Sequence, residues 1–203
     1  YIVGFVAPFL EKKLPEGLNL IVGALAIAPL ARIIAIAVDP VVNSTLLNIG
    51  RMISAAAEQS PIIMGFLLGG IMKMICTSPL SSMALTAMLG LDGLAMGIAA
   101  IACVGGSFTN GIIFDRLKLG ERSNVIAVML EPLTQADIIT QNPIPIYGSN
   151  FFGGGLAGLA AAMLGIINNA PGTASPIPGL LAPFGFNPPL KVCLLYTSPS
   201  PRD

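Results

Sequence analysis

The chain has 203 residues, of which 54% are hydrophobic and only 10% charged, with ten basic and ten acidic side chains. An ordinary soluble domain carries roughly 25% charged residues; with a mean hydropathy of +0.83, this chain reads instead as a polytopic membrane protein. Zero net charge provides no basic face for nucleic acid. With no histidine at all, imidazole-metal catalysis, histidine proton relays and phosphohistidine chemistry are excluded on this chain.

Residues 1–10, YIVGFVAPFL, read as the end of a helix stopped by the polar turn EKKLPEG. No initiator Met precedes them, so an N-terminally truncated chain is expected. Residues 18–38 are long enough to span a bilayer, about twenty residues at 1.5 Å rise each. Pro29 is expected to kink this span, and Arg32, near its end, to snorkel. From Asp39 the pattern changes to a mixed one, with Leu46, Leu47, Met52 and Ile53 at helical spacing and Asn48, Arg51 and Glu58 elsewhere on the wheel. This predicts a separate amphipathic helix over 39–60, at the interface or lining the interior.

Residues 61–114 contain only two charges, Lys73 and Asp92. No soluble domain keeps so long a stretch free of charged surface. Thr77, Ser78, Pro79, Ser81 and Ser82 interrupt it with a helix-breaking, hydroxyl-rich knot, and irregular backbone at membrane depth survives only inside protein or beside a wet cavity. The break divides the stretch into an apolar segment over 61–75, a half-length segment over 83–91 that fits a re-entrant hairpin, and a full span over 93–114. Lys73 and Asp92 then mark where these pieces reach the interface.

The turn DRLKLGERS follows, and its three basic residues Arg116, Lys118 and Arg122 predict the cytoplasmic side. Residues 124–147 hold the cluster Glu131-Pro132-Leu133-Thr134-Gln135, the polar run to Asn142, and an extended Pro143-Ile144-Pro145. Residues 148–169 are a clean span, and the Pro/Gly-rich 170–189 reads as an ordered loop or a second re-entrant element. The last ten residues, LLYTSPSPRD, resemble translated sequencing-adaptor read-through. A membrane domain over 1–191 with an artefactual tail over 192–203 is therefore expected.

Gly153, Gly155 and Gly158 satisfy the dinucleotide-binding spacing, but no strand precedes them and no acidic residue follows at the required distance. The pairs Gly65/Gly69, Gly93/Gly97 and Gly154/Gly158 instead predict close helix–helix approach. Cys76, Cys103 and Cys193 are odd in number and widely spaced, which gives neither a disulfide framework nor a metal-ligand set. No cofactor is expected. A carboxylate beside a proline break, flanked by hydroxyl and amide groups, offers donors and acceptors suited to a polyhydroxylated solute. On that chemistry Glu131, Thr134, Gln135 and Asn142 are candidate solute-binding residues, with Glu58 as a second carboxylate.

The segment over 61–106, with Met64-Gly65 leading to Ser78-Pro79-Leu80-Ser81-Ser82 and then MLGLDGLAMG from Met88, resembles the core of the phosphotransferase-system EIIC membrane proteins. The likeness covers most of 60–106 and, more weakly, 131–158. It implies an all-α polytopic integral membrane protein with transmembrane helices and re-entrant hairpins, the sugar-translocating permease of a phosphoenolpyruvate-dependent system in the bacterial cytoplasmic membrane. It also implies separate EIIA and EIIB partners and a homodimer, and points to Thr77, Ser78, Ser81 and Ser82 as the re-entrant tip. The family pattern has a His before the first proline of this block, where this chain has Ser60. That departure keeps a non-phosphorylating regulator or sensor, or a secondary carrier, as the alternative.

Overall fold

The computed structural model describes residues 18–197; the expected helix end over 1–10 and the last six residues of the expected tail lie outside them. The described residues are helical with no strands. The chain divides into two compact units, Tyr1–Leu46 and Leu47–Asp203. The described part of the first is a single helical stretch with Leu25, Ile33, Ile36 and Val41 exposed. Such a surface suits lipid better than water.

Helix α1 runs Leu18–Gln59 without interruption. The expected change of element at Asp39 does not occur: Pro29 and Pro40 both lie inside one 42-residue helix. Each proline removes only one backbone donor, and the polar residues beyond Asp39 change the helix's surface without breaking its backbone. Within the second unit the end of α1 passes close to the next elements, since a Cβ on Gly50 would meet the Leu89 carbonyl.

Pro61–Thr77 forms α2, with Pro61 in the first turn, where its missing N–H has no intrahelical partner to lose. The chain breaks at Ser78–Ser81 and resumes as the short α3, Ser82–Met88, whose Ser81 cap accepts from the Ala84 N–H at 3.2 Å. Gly90 and Gly93, at φ +60 and +55, make the turn into α4, Gly93–Arg116. The half-length element and its break stand where the sequence predicts them.

Helices α2 and α7, Pro143–Met163, pack antiparallel through glycine. A Cβ on Gly69 would fall 2.6 Å from the Gly154 carbonyl oxygen and 2.9 Å from the Gly158 Cα, and one on Gly65 2.7 Å from the Ala162 Cβ. Phe66 closes the edge of this seam against Phe151, ring centroids 5.6 Å apart and edge-on. Helix α4 runs parallel to α2, with Gly106 against Lys73 and Asn110 against Thr77, while its Gly105 meets Ala157 of α7. Gly153 and Gly155 face Thr109 and Phe66 inside this packing, so the glycine triplet is a helix-contact surface. Gly97 likewise admits the Ile166 carbonyl, whereas Gly93 has open space around it and serves the turn.

Between α4 and α7 lie α5 (Arg122–Leu130), a 3-10 turn over Pro132–Gln135 and α6 (Ala136–Gln141). The segment expected to be extended at Pro143–Pro145 is instead the first turn of α7, because prolines at the start of a helix break no internal hydrogen bond. The span expected over 148–169 accordingly begins earlier and ends at Met163. After it, Asn187 grips the backbone of Ile167 from both sides, at 3.0 and 2.6 Å, and Asn169 accepts from the Gly93 N–H at 3.0 Å.

The Pro/Gly-rich stretch contains α8 (Pro176–Leu181), a 3-10 turn over Ala182–Gly185 and α9 (Pro189–Tyr196). Val192 of α9, inside the expected tail, is buried with Ile101, Ala161 and Ile166. Among the described residues two helical stretches, Arg32–Gln59 and Gly93–Arg116, are long and apolar enough to cross a bilayer.

Candidate solute-binding site

The break after α2 opens on a pocket of about 180 Å³, lined by Cys76, Ser78, Ser81, Ser82, Glu131 and Ser175 together with Leu80, Leu133 and Met83. Three chain breaks build it. Ser78 and Ser81 belong to the α2–α3 interruption, Glu131 terminates α5 at the proline that follows it, and Ser175 precedes Pro176 at the start of α8. Ser82 holds two of these breaks together: its hydroxyl donates to the Ala174 carbonyl at 2.6 Å.

The side chains divide between local and open roles. Ser78 Oγ donates to the Ile75 carbonyl at 2.7 Å and accepts from the Leu80 N–H at 3.2 Å, which stabilises the turn after the helix end. Glu131 uses its backbone for the turn, its carbonyl accepting the Thr134 hydroxyl at 2.8 Å. Its exposed carboxylate has no hydrogen-bond partner among the described residues, so it remains a free acceptor at the mouth of the pocket. Serine hydroxyls that both donate and accept, beside one carboxylate, match the complementary groups of a polyol.

The remaining sequence-selected residues are placed elsewhere. Thr134 is exposed beside Glu131, and its hydroxyl accepts from Gln135 Nε2 at 3.3 Å. Gln135 is buried and accepts from Asn124 Nδ2 at 2.6 Å, a bond that ties the 3-10 turn to the start of α5. Asn142, which precedes α7, donates to the Ile138 carbonyl at 3.2 Å. Glu58 is exposed on α1 and does not line the pocket.

Thr77 is buried next to the pocket in a relay. Asn150 Nδ2 donates to Asn110 Oδ1 at 2.6 Å, and Asn110 Nδ2 donates to Thr77 Oγ1 at 3.3 Å, so one polar line joins α7, α4 and α2. Asn150 Oδ1 is the buried side-chain atom without a partner among the described residues. Sequence reasoning passed over Asn110 and Asn150, although a lone amide inside an apolar span is itself a signal of interior function. It also passed over Cys76 and Ser175; the Ser-Pro at 175–176 repeats the Ser-Pro at 78–79 and carried the hint.

Lys73 corrects an expectation. Instead of snorkelling to the interface it is 0% exposed, its amine 3.5 Å from the Cys103 carbonyl. The physical reason is a slot: Gly106 on α4 and Gly154 on α7 leave the space its methylenes fill.

Among the described residues, helices without strands, long apolar stretches and interrupted segments around a serine- and carboxylate-bearing pocket define an all-α membrane protein of the broken-helix kind. The chain belongs to the phosphotransferase system EIIC family, whose model, described as "Phosphotransferase system, EIIC", matches residues 1–198. It is thus a membrane component of a sugar phosphotransferase transport system, which works with EIIA and EIIB components on a sugar. No curated protein and no solved structure gives a match.

Proposed function

We propose that this chain is the permease that carries a carbohydrate across the bacterial cytoplasmic membrane by alternating access, as a multi-pass homodimer. The sugar binds among Glu131, Ser78, Ser81, Ser82 and Ser175, and is released on the cytoplasmic side for phosphorylation by an EIIB partner. One observation carries the reading: the α2–α3 break, the carboxylate that ends α5 and the start of α8 converge on one pocket that gathers four serines and a carboxylate. Paired breaks of this kind free backbone and hydroxyl groups for a solute while the surrounding helices keep them from lipid.

The test is binding and uptake of a sugar panel by Glu131→Gln and Glu58→Gln, singly and together. Glu131→Gln is expected to weaken binding about tenfold or more, in keeping with loss of a hydrogen bond to a charged group. If the double variant leaves binding and uptake of every sugar unchanged, the assignment of the site is wrong.

A second reading, a membrane regulator or carrier that does not couple to phosphorylation, draws support from Ser60 at the position where the family pattern has His. Ser60 precedes α2 and makes no side-chain capping bond there. Uptake into vesicles that continues without phosphoenolpyruvate would favour this reading; uptake that stops would favour group translocation.

A further inference from the structure

The fold spends two glycines on burying Lys73. A Cβ on Gly106 would collide with its Cγ, Cδ and Cε, and one on Gly154 with its Cβ and Cγ. The stem is held where it cannot turn to the helix end, and the amine faces the interior of the assembly. There, among the described residues, it makes one long hydrogen bond, to the Cys103 carbonyl at 3.5 Å, and has no carboxylate within ion-pairing distance.

A lysine ammonium carries three donors, and a buried charge without a partner is among the costliest groups a fold can hold. On the same seam Asn150, one turn before Gly154 on α7, has an acceptor oxygen without a donor. The amine's unmet donors fit a ligand group that supplies acceptors.

The path from the pocket to this cation is short in residues. Cys76 lines the pocket and stands one turn after Lys73 on the same face of α2. Cys103 is the residue whose carbonyl receives the amine. The titratable groups around Lys73 are these two thiols and Glu131, and Glu131 stands at the exposed side of the pocket. The site therefore has two poles, an acceptor carboxylate outside and a donor amine inside.

We propose that Lys73 is an anion-recognition residue of this pocket, and that the carbohydrate taken up carries an acid group, a carboxylate or a phosphate, which completes the buried cation behind Cys76. The inference rests on the sugar-binding reading above and names its substrate class. Hydroxyls of the solute meet Glu131 and the serines, and its acid group meets Lys73.

The experiment measures binding to the full chain in detergent of matched acid and neutral pairs: glucuronate against glucose, galacturonate against galactose, gluconate against glucitol, with glucose 6-phosphate as the phosphate arm. At least one acid is expected to bind roughly 10- to 100-fold more tightly than its neutral counterpart, the range of one hydrogen bond to a charged group. Lys73→Met, which keeps an unbranched stem in the slot, should erase that preference, so that the acid and neutral members of each pair bind alike. Preference for glucose 6-phosphate over every carboxylate would identify the acid group as phosphate. Neutral sugars that bind as tightly as their acids to the wild-type chain overturn the role of Lys73 and leave the sugar pocket standing, a comparison that needs no variant to fold. Failure of every carbohydrate, acid and neutral, to bind overturns the sugar pocket itself and this inference with it.

Discussion

The hydroxyl of Ser82 donates to the carbonyl of Ala174 at 2.6 Å, joining two chain breaks that lie 92 residues apart. The bond sits at the first residue of α3 and just before α8, where both segments have backbone groups released from helical pairing. Ser82 is buried, so no bulk water replaces the bond when it is lost. Ser82→Ala is expected to cost about 1–3 kcal/mol, the price of an unsatisfied buried carbonyl, seen as a lower unfolding temperature in detergent. Ser81→Ala removes an exposed capping bond to the Ala84 N–H and should cost about 0.5–2 kcal/mol. Equal stability of Ser82→Ala and the wild type would show that the two breaks are not held together by this bond.

The α2–α7 seam makes a sharper stability prediction. Gly69 has the Gly154 carbonyl oxygen 2.6 Å and the Gly158 Cα 2.9 Å from where a Cβ would stand, and both atoms belong to backbone that cannot move aside without shifting a helix. Gly69→Ala should destabilise the protein by about 1–3 kcal/mol through overpacking. Gly148 lies on the same α7 with nothing within 4 Å of its Cβ position. There the same change should be neutral or stabilising, since alanine is the better helix former by roughly 1 kcal/mol. Thermal unfolding of the two variants side by side checks the ordering.

The Asn150–Asn110–Thr77 relay is predicted to behave as a unit. Asn110→Leu strips Asn150 of its acceptor and Thr77 of its donor, so each loses a partner in a buried site. Each single change, Asn110→Leu or Asn150→Leu, should cost about 1–3 kcal/mol. The double change leaves fewer orphaned groups and should cost less than the sum by roughly 0.5 kcal/mol or more. Strict additivity in the double-mutant cycle would mean that the two amides do not share one network.

These relationships separate what was legible in the sequence from what was not. The break at Thr77–Ser82 was legible because a proline and four hydroxyl residues cannot be reconciled with an unbroken apolar helix, and the nine residues after it are too few to span. The pairs Gly65/Gly69 and Gly154/Gly158 were legible for the same kind of local reason, since spacing alone puts them on one helix face, whereas the same spacing at Gly93/Gly97 did not reveal that Gly93 serves a turn. Lys73 was not. A lysine near the end of an apolar segment has the same sequence signature whether it snorkels or turns inward, and the outcome is decided by Gly106 and Gly154, 33 and 81 positions away. The run from Thr134 to Asn142 shows how residue type alone leaves placement open. Its amides and hydroxyls suit a solute equally well by type, yet Gln135 ties the 3-10 turn to α5, and Asn142 bonds back to the Ile138 carbonyl of α6. At the helix starts, Pro143 and Pro145 were read as extended chain because proline disfavours helix interiors, whereas at the first turn it costs nothing.

Cys76 offers a direct probe of the pocket. It is the thiol that lines the cavity, Cys103 is 0% exposed behind it, and Cys193 is exposed on α9. In a Cys193→Ser background a small methanethiosulfonate reagent should therefore modify Cys76 slowly and Cys103 not at all, because reaction requires both access and a thiolate. A sugar seated among Ser78, Ser81, Ser82 and Glu131 would cover the only side of Cys76 that faces the cavity. Saturating sugar is accordingly expected to slow labelling about tenfold or more, following the fraction of pockets left empty, and Cys76→Ser should abolish labelling. Mass spectrometry of the labelled chain decides the matter: modification of Cys76 at the same rate with and without a sugar that demonstrably binds would place that sugar outside this pocket.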